Sequence, residues 1–328
     1  MSFEPADALP AEAQAVWNTA TRLETPCGTG RMVWHAWGQT TSDPALPPVI
    51  LLHGGSGSWT HWLHNIDCLL RAGRWVLVPD LPGFGDSALP AYGTDADAIP
   101  EPLEQGLQCL LGDRACDLVG FSFGGMVAGL LAATVHGRVA RLVLVGAPGM
   151  GIAPQKAIRL NAWRHLVGAG QRTEVHRSNL AALMLHHPAS ITATALSLHE
   201  ANVLRDRMKG RSLSRTDVLA RALLEVNCPV LAIYGIEDAL YRGQMHRLEP
   251  VLRQAPSFGA LTLIPDAGHW VQFERPEAFN AALLAALATD LTVVNSGSRN
   301  PYFSIASSST SNVSVEFGGT ELPAPRSP

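Results

Sequence analysis

Hydrophobic residues in this chain fall into short runs. Residues 48–52 (Pro-Val-Ile-Leu-Leu), 75–78 (Trp-Val-Leu-Val), 118–119 (Leu-Val), 141–145 (Arg-Leu-Val-Leu-Val), 230–234 (Val-Leu-Ala-Ile-Tyr) and 261–264 (Leu-Thr-Leu-Ile) are largely apolar, with Gly, Pro or Asp close behind. A strand that is apolar on both faces needs cover on both, as in a mostly parallel sheet with helices on each side. Upstream, 31–37 (Arg-Met-Val-Trp-His-Ala-Trp) follows Gly28-Thr29-Gly30 and predicts a short hairpin entering that sheet. Helical patterns run between the strands over 62–71, 99–111, 126–135, 244–254 and 276–287. The last opens on Pro276, whose fixed φ suits a first helical turn. This alternation predicts an α/β, doubly wound sheet.

The alternation breaks between Pro148 and about Val226, where no β-like run occurs and stretches such as 179–185 and 217–226 read as helix. A helical block inserted directly after a strand end would lie over the C-terminal edge of the sheet, where α/β sites form. The expected organisation is a core of 1–147 and 227–290, with a helical lid of 148–226 between its two parts. The lid is basic: 151–225 carries eleven Lys/Arg and five Asp/Glu, against a net charge of −4 for the whole chain. A solvated helical surface accounts for most of those charges. Residues 291–328 are the expected disordered tail, since from 296 onward Ser, Asn, Gly and Pro dominate and large apolar residues are few. The β-like run 313–317 within it has no apparent partner.

At 328 residues, with 47% hydrophobic and 16% charged residues, the chain can bury a sizeable core. Its modest negative charge argues against nucleic acid and against a membrane surface as partners. The five cysteines, Cys27, Cys68, Cys109, Cys116 and Cys228, are odd in number, scattered and without a C-x-x-C pair, which supports neither a disulfide framework nor a metal site. Residues 1–21 lack a basic stretch followed by an apolar core, and no apolar run approaches the roughly 18 residues of a membrane span. A cytoplasmic protein is the expectation.

Candidate chemistry centres on Gly120-Phe121-Ser122-Phe123-Gly124, with Gly125 behind it, placed between an apolar run and a helical pattern. G-x-S-x-G at a strand-to-helix turn is the nucleophile-elbow pattern, in which a tight turn lifts the serine Oγ clear of the sheet. Serine at its ordinary pKa is a poor nucleophile, so Ser122 needs a base, and the base an orienter. Asp238 follows the run 230–234 and His269 follows 261–264, giving the order Ser, Asp, His with each residue just beyond a different strand. Glu237 is the alternative acid, and Asp266 is expected to hold the loop before His269. The small-residue loop His53-Gly54-Gly55-Ser56-Gly57 offers backbone N–H groups to an oxyanion. It lacks the lysine of a P-loop and does not match G-x-G-x-x-G at a helix start, so nucleotide binding is not expected. The oxyanion donors are assigned to the N–H of Gly55, or its neighbour Ser56, and of Phe123. His53 reads as structural.

Together, Leu52-His53-Gly54-Gly55, Asp80-Leu81-Pro82-Gly83-Phe84-Gly85-Asp86-Ser87, the elbow, Gly235-Ile236-Glu237-Asp238 and Gly268-His269 resemble the α/β-hydrolase fold superfamily over residues of about 20–290. A narrower stretch, 268–280, resembles the C-terminal motif of meta-cleavage product hydrolases, which cut carbon–carbon bonds in aromatic ring degradation. Trp270 matches their tryptophan after the histidine. That family usually has asparagine before the nucleophile, where this chain has Phe121. The resemblance implies Ser122, Asp238 and His269 as catalytic residues, Ser56, Phe121 and Trp270 near substrate, and a lid arginine for an anionic group, with Arg205 and Arg207 as candidates. It implies no cofactor and no metal. The expected function is that of a serine hydrolase attacking a carbonyl carbon of a small, anionic or neutral substrate, in a ring-cleavage product or a carboxylic ester. Cofactor-free haloperoxidase-like or lyase chemistry on the same triad is one alternative. A non-catalytic ligand-binding homologue is the other.

Overall fold

A computed structural model describes residues 9–288 of the chain. Its strands are β1 (Thr21–Cys27), β2 (Gly30–Trp37), β3 (Val49–Leu52), β4 (Val76–Pro79), β5 (Cys116–Phe121), β6 (Val139–Val145), β7 (Val230–Gly235) and β8 (Phe258–Ile264). They form one eight-stranded sheet in the order β1-β2-β4-β3-β5-β6-β7-β8. β1 and β2 are the expected hairpin, in register from Thr21 opposite Ala36 to Cys27 opposite Gly30, and β2 runs antiparallel to β4. From β4 to β8 every neighbouring pair is parallel. The tail expected at 291–328 lies outside the described residues.

Period-2 alternation divides the core into two layers, because successive side chains of a strand point to opposite faces. On one face, Ile50 and Leu52 of β3, Leu118 of β5 and Leu142 and Leu144 of β6 meet Leu103, Leu107, Met126 and Leu131. The latter four lie on the helices Pro100–Leu111 and Phe123–Thr134. On the other face, Val49, Leu51, Val119, Val143 and Ile233 meet Ile66, Leu69, Phe279 and Leu283, carried by the helices Ile66–Arg71 and Pro276–Ala288.

Two expected helices are shorter than their patterns. The stretch 62–71 begins as a 3₁₀ turn, Trp59–Trp62, capped by Ser58 Oγ on the Thr60 N–H, and becomes α-helical only at Ile66. Between the two, Asn65 turns inward and donates to the Gln272 carbonyl at 3.1 Å and to Asn280 Oδ1 at 2.8 Å. In 244–254 the α-helix is confined to Leu248–Leu252. Pro250 has no N–H to offer the carbonyl four residues back, so an α-helix cannot begin much earlier.

Between β6 and β7 the described chain forms helices and turns and no strand. The helix Ala169–Asn179 runs into a π-turn, Leu180–Met184, and is followed by the helices Ala193–Leu204 and Val218–Ala222. The apolar stretch at 179–185 is therefore the end of a longer helix, whose polar first part (Ala-Gly-Gln-Arg-Thr-Glu) conceals it. This segment lies across the loops that follow the C-terminal ends of the strands. Asn202 bonds Ser58 and Thr60 after β3, the Arg207 N–H donates to the Gly83 carbonyl after β4, and the Trp270 N–H after β8 donates to the Met184 carbonyl.

Leu51 is fully buried in β3, whereas Val167 is 92% exposed. Leu51→Ala should lower the unfolding free energy by about 2–5 kcal/mol. Val167→Ala should stay within about 0.5 kcal/mol of the parent. Urea denaturation of the two variants against the parent chain checks both values.

Candidate active site

Ser122 stands between the end of β5 and the helix Phe123–Thr134, with φ 50° and ψ −117°. For a residue with a side chain this left-handed φ is costly and persists only when its surroundings hold it. Here the Ser122 N–H donates to the Val145 carbonyl of β6 at 2.7 Å, and its own carbonyl accepts from the Gly125 N–H at 2.8 Å. The flanking glycines let the helix close on the sheet. A Cβ on Gly120 would collide with the Gly124 carbonyl oxygen and Gly125 Cα, and one on Gly124 would lie 2.5 Å from the His53 carbonyl oxygen. G-x-S-x-G is thus a requirement of backbone approach at this turn.

Asp238 and His269 reach Ser122 from two other strand ends. His269 Nε2 lies 2.8 Å from Ser122 Oγ, and His269 Nδ1 lies 2.9 Å from Asp238 Oδ2. Since a carboxylate accepts, Nδ1 carries the ring proton and Nε2 is left to accept from the serine hydroxyl. Asp238 is fully buried and also accepts the Leu240 N–H on Oδ1 at 2.9 Å. Glu237 points elsewhere, 3.5 Å from Arg242, and Asp266 is exposed at the loop bend with φ 52°. Further residues that the sequence did not reveal support this pair. Gly146 lies where a Cβ would come 3.2 Å from His269 Nδ1 and 3.3 Å from Asp238 Oδ2, so its bareness makes the room. The buried carboxylate of Glu274 accepts the N–H groups of Gly268, His186 and His187 at 2.7, 3.0 and 2.7 Å, tying the His269 loop to the helical segment. Tyr234 and Tyr241 both donate to the Ala147 carbonyl, and burial pushes the pKa of each phenol upward.

The loop after β3 is held by two buried histidines. The Gly54 carbonyl can only accept, so His53 Nδ1 donates to it at 2.8 Å, leaving His53 Nε2 to accept the Leu81 N–H at 2.8 Å. The Gly54 N–H donates to His61 Nδ1 at 3.2 Å. Burial lowers the pKa of both rings, and that of His61 falls well below the usual value, so both are neutral. Phe123 opens its helix, where the first N–H groups have no partner within the helix and the dipole favours negative charge. Phe121 is fully buried, its ring centroid 5.1 Å from that of His269 and 5.4 Å from that of His61. Trp270 is buried too, stacked on Phe273 at 4.1 Å and donating Nε1–H to the His61 carbonyl at 3.0 Å. Both rings pack against His61, and that of Phe121 against His269 as well.

Arg205 and Arg207, the two arginines expected to grip an anion, are both committed to the turn after β4. Arg205 pairs with Asp86 at 2.5 Å and stands 3.7 Å from Asp80, and Arg207 donates to the carbonyls of Phe84, Gly85 and Ser87. A cation next to the loop after β3 is instead Arg211. Its guanidinium lies against Gly55, within 3.3 Å of where a Cβ there would sit, and it bonds Ser56 Oγ at 3.0 Å and Asp206. Ser56 Oγ in turn donates to Asp206 Oδ2 at 2.6 Å. Arg211 stands in a loop without motif or periodicity, so no sequence signal singles it out.

Residues 49–282 match the alpha/beta hydrolase family. The chain belongs to that family. A 2-hydroxy-6-oxo-6-phenylhexa-2,4-dienoate hydrolase from Burkholderia cepacia is 29% identical over 256 residues, covering 73% of this chain and 87% of that protein. Among solved structures, carboxylesterase CesB from Bacillus subtilis superposes with a TM-score of 0.67 at 19% identity, over 84% of this chain and 95% of the other. A meta-cleavage product hydrolase from Pseudomonas fluorescens gives 0.63 at 23% identity, over 80% and 96%. The structural likenesses establish the fold, as the sequence predicted. The expectation of a hydrolase agrees with the family and with the dienoate hydrolase relative. No helix among the described residues is long and apolar enough to cross a membrane.

His199, on the helix Ala193–Leu204, is pushed down to a pKa of about 4 by burial, with His176 adding to the effect. Because the unfolded chain binds this proton from about pH 6.5 downward and the folded chain does not, stability is lost as pH falls from about 6.5 to 4. Replacing the ring by a group that cannot titrate removes that component. His199→Gln should flatten the slope of unfolding free energy against pH in that window, by up to about 1.4 kcal/mol per pH unit, as read by denaturant titrations at pH 4.5, 5.5 and 6.5.

Proposed function

We propose that this protein is a serine hydrolase in which Ser122, His269 and Asp238 act as a catalytic triad on the carbonyl carbon of a small substrate. The observation that carries this reading is the unbroken line from Asp238 Oδ2 through His269 to Ser122 Oγ, with steps of 2.9 and 2.8 Å. His269 Nε2 takes the proton as Ser122 Oγ, or a water in its place, attacks the carbonyl. The imidazolium so formed is stabilised by the buried Asp238 carboxylate. The developing oxyanion is received by the N–H groups of Gly55 and Phe123, and one such donor is typically worth about 3 kcal/mol of barrier. His269 then returns its proton to the leaving group, and an acyl group left on Ser122 Oγ is released by a water that His269 deprotonates in the same way.

Two leaving groups fit this course. An ester leaves as an alkoxide and needs only the triad and the oxyanion donors. A ring-cleavage product leaves as a carbanion equivalent, so ketonisation must precede cleavage. The dienoate hydrolase relative, similar over 87% of its length, supports the carbon–carbon reading. Arg211 beside Gly55 supports an anionic or oxygen-rich substrate next to the oxyanion loop. The helical segment acts in this reading as a lid, with Ser56 beneath it and the buried rings of Phe121 and Trp270 packed behind His269 and His61.

Rates on p-nitrophenyl esters and on 2-hydroxy-6-oxo-dienoates, measured side by side, decide between the two leaving groups. Ser122→Ala should lower turnover of the preferred substrate at least about 10³-fold, and Asp238→Asn should lower kcat by a similar or larger factor. Unchanged turnover of both substrates in Ser122→Ala would sink the proposal.

A further inference from the structure

The Gly54–Gly55 peptide supplies the Gly55 N–H used in the proposed mechanism, and both ends of Gly54 are held by neutral imidazoles. His53 Nδ1–H donates to the Gly54 carbonyl at 2.8 Å. No peptide bond among the described residues is cis, so with that carbonyl anchored the Gly55 N–H points in the opposite direction within the same peptide plane. The Gly54 N–H is in turn anchored on His61 Nδ1 at 3.2 Å. This second anchor is built into the fold. His61 is buried and its ring nests against Gly57, where any Cβ would collide with its Cε1 and Nδ1. Its other contacts are the neighbours of nucleophile and base: the Phe121 ring at 5.4 Å, the Trp270 ring at 4.9 Å, and the Trp270 Nε1–H on its carbonyl.

We propose that His61 is a positioning residue, whose Nδ1 lone pair latches the Gly54 N–H and thereby sets the direction of the oxyanion donor at Gly55. This inference rests on the serine-hydrolase reading above. The latch requires a ring whose Nδ1 is unprotonated, since a proton there would face the Gly54 N–H donor to donor. Burial, with His53, His199 and His269 around the ring, disfavours the charged form and keeps that lone pair available. The remaining ring proton is on Nε2. Without the acceptor, the buried Gly54 N–H loses its partner and the loop is free to rotate away from Ser122.

The test compares His61→Phe, which keeps an aromatic ring and removes the acceptor, with His61→Asn, whose Oδ1 is attached where Nδ1 is attached and can accept the same N–H. With p-nitrophenyl butyrate as probe, His61→Phe should lower kcat about 10- to 100-fold while KM changes less than about 3-fold, short of the 10²–10³-fold loss of a deleted donor. His61→Asn should recover to within about 5-fold of the parent kcat. Thermal melts of both variants accompany the kinetics. A His61→Phe enzyme as fast as the parent overturns the latch, as does equal loss in the two variants or loss that follows melting temperature alone. Should His61→Phe not fold, the His61→Asn enzyme alone decides: a kcat more than about 10-fold below the parent at similar melting temperature overturns it. A parent enzyme that turns over no ester or dienoate, and whose Ser122 is not labelled by fluorophosphonate, marks failure of the hydrolase reading itself.

Discussion

The site depends on how closely the helix Phe123–Thr134 approaches the ends of β3 and β5. That approach is a contact of backbone on backbone, with Gly120 and Gly124 giving up side chains so that it can occur. It has three consequences at one point. It forces Ser122 into the left-handed region, aims the N-terminal end of the helix at the space beside Oγ, and brings the Leu52-His53-Gly54 backbone alongside. Dispersion and burial in the helix–sheet interface, with Met126, Val127 and Leu131 fully covered, offset the strain of the turn.

Around that contact, the parallel order β3-β5-β6-β7-β8 delivers the other parts by geometry alone. In a parallel sheet all C-terminal ends lie on one edge, so residues far apart in sequence are neighbours when each follows a strand. Ser122, Asp238 and His269 follow β5, β7 and β8, and the glycine that makes room for the Asp238–His269 contact, Gly146, follows β6 directly. The helical segment closes over the same edge. Its attachments are polar and distributed: the His186 and His187 N–H groups on Glu274, Asn202 on Ser58 and Thr60, Arg205 and Arg207 on the turn after β4, and Arg211 on Ser56.

Those attachments change the meaning of the basic charge in the segment. Arg205 and Arg207 hold the turn 80–87, where burial opposes the charge of Asp80 yet His35 and Arg205 keep its pKa below the ordinary carboxylate range. The charges of Arg205 and Arg207, which look available for an anionic substrate, are taken up by the turn after β4, and it is Arg211 that lies beside Gly55, already paired with Asp206. A cation so paired offers orientation and hydrogen bonds more than net charge, which places weight on donor geometry rather than on bulk attraction.

Strands, their parallel arrangement and the Ser-Asp-His order were legible in the sequence because each is a local signal. A short apolar run reports a strand buried on both faces, and glycines flanking a serine report a turn with no room for Cβ. The helix Ala169–Asn179 was hidden by its polar composition, and the late start of the helix Leu248–Leu252, around Pro250, by a helical pattern that continues on both sides of it. Tertiary structure alone decided which acid of the pair Glu237 and Asp238 faces His269, that Gly146 clears its path, and that His61 meets Gly54. It also decided that Arg211, rather than Arg205 or Arg207, lies on Gly55. The physical reason is the same in each case. Periodicity and turn chemistry record what a residue does to its own backbone, whereas hydrogen-bond partners and steric clearance are set by the packing of separate segments, some of them far apart in sequence, as Trp270 is 209 residues from His61, and leave no local trace.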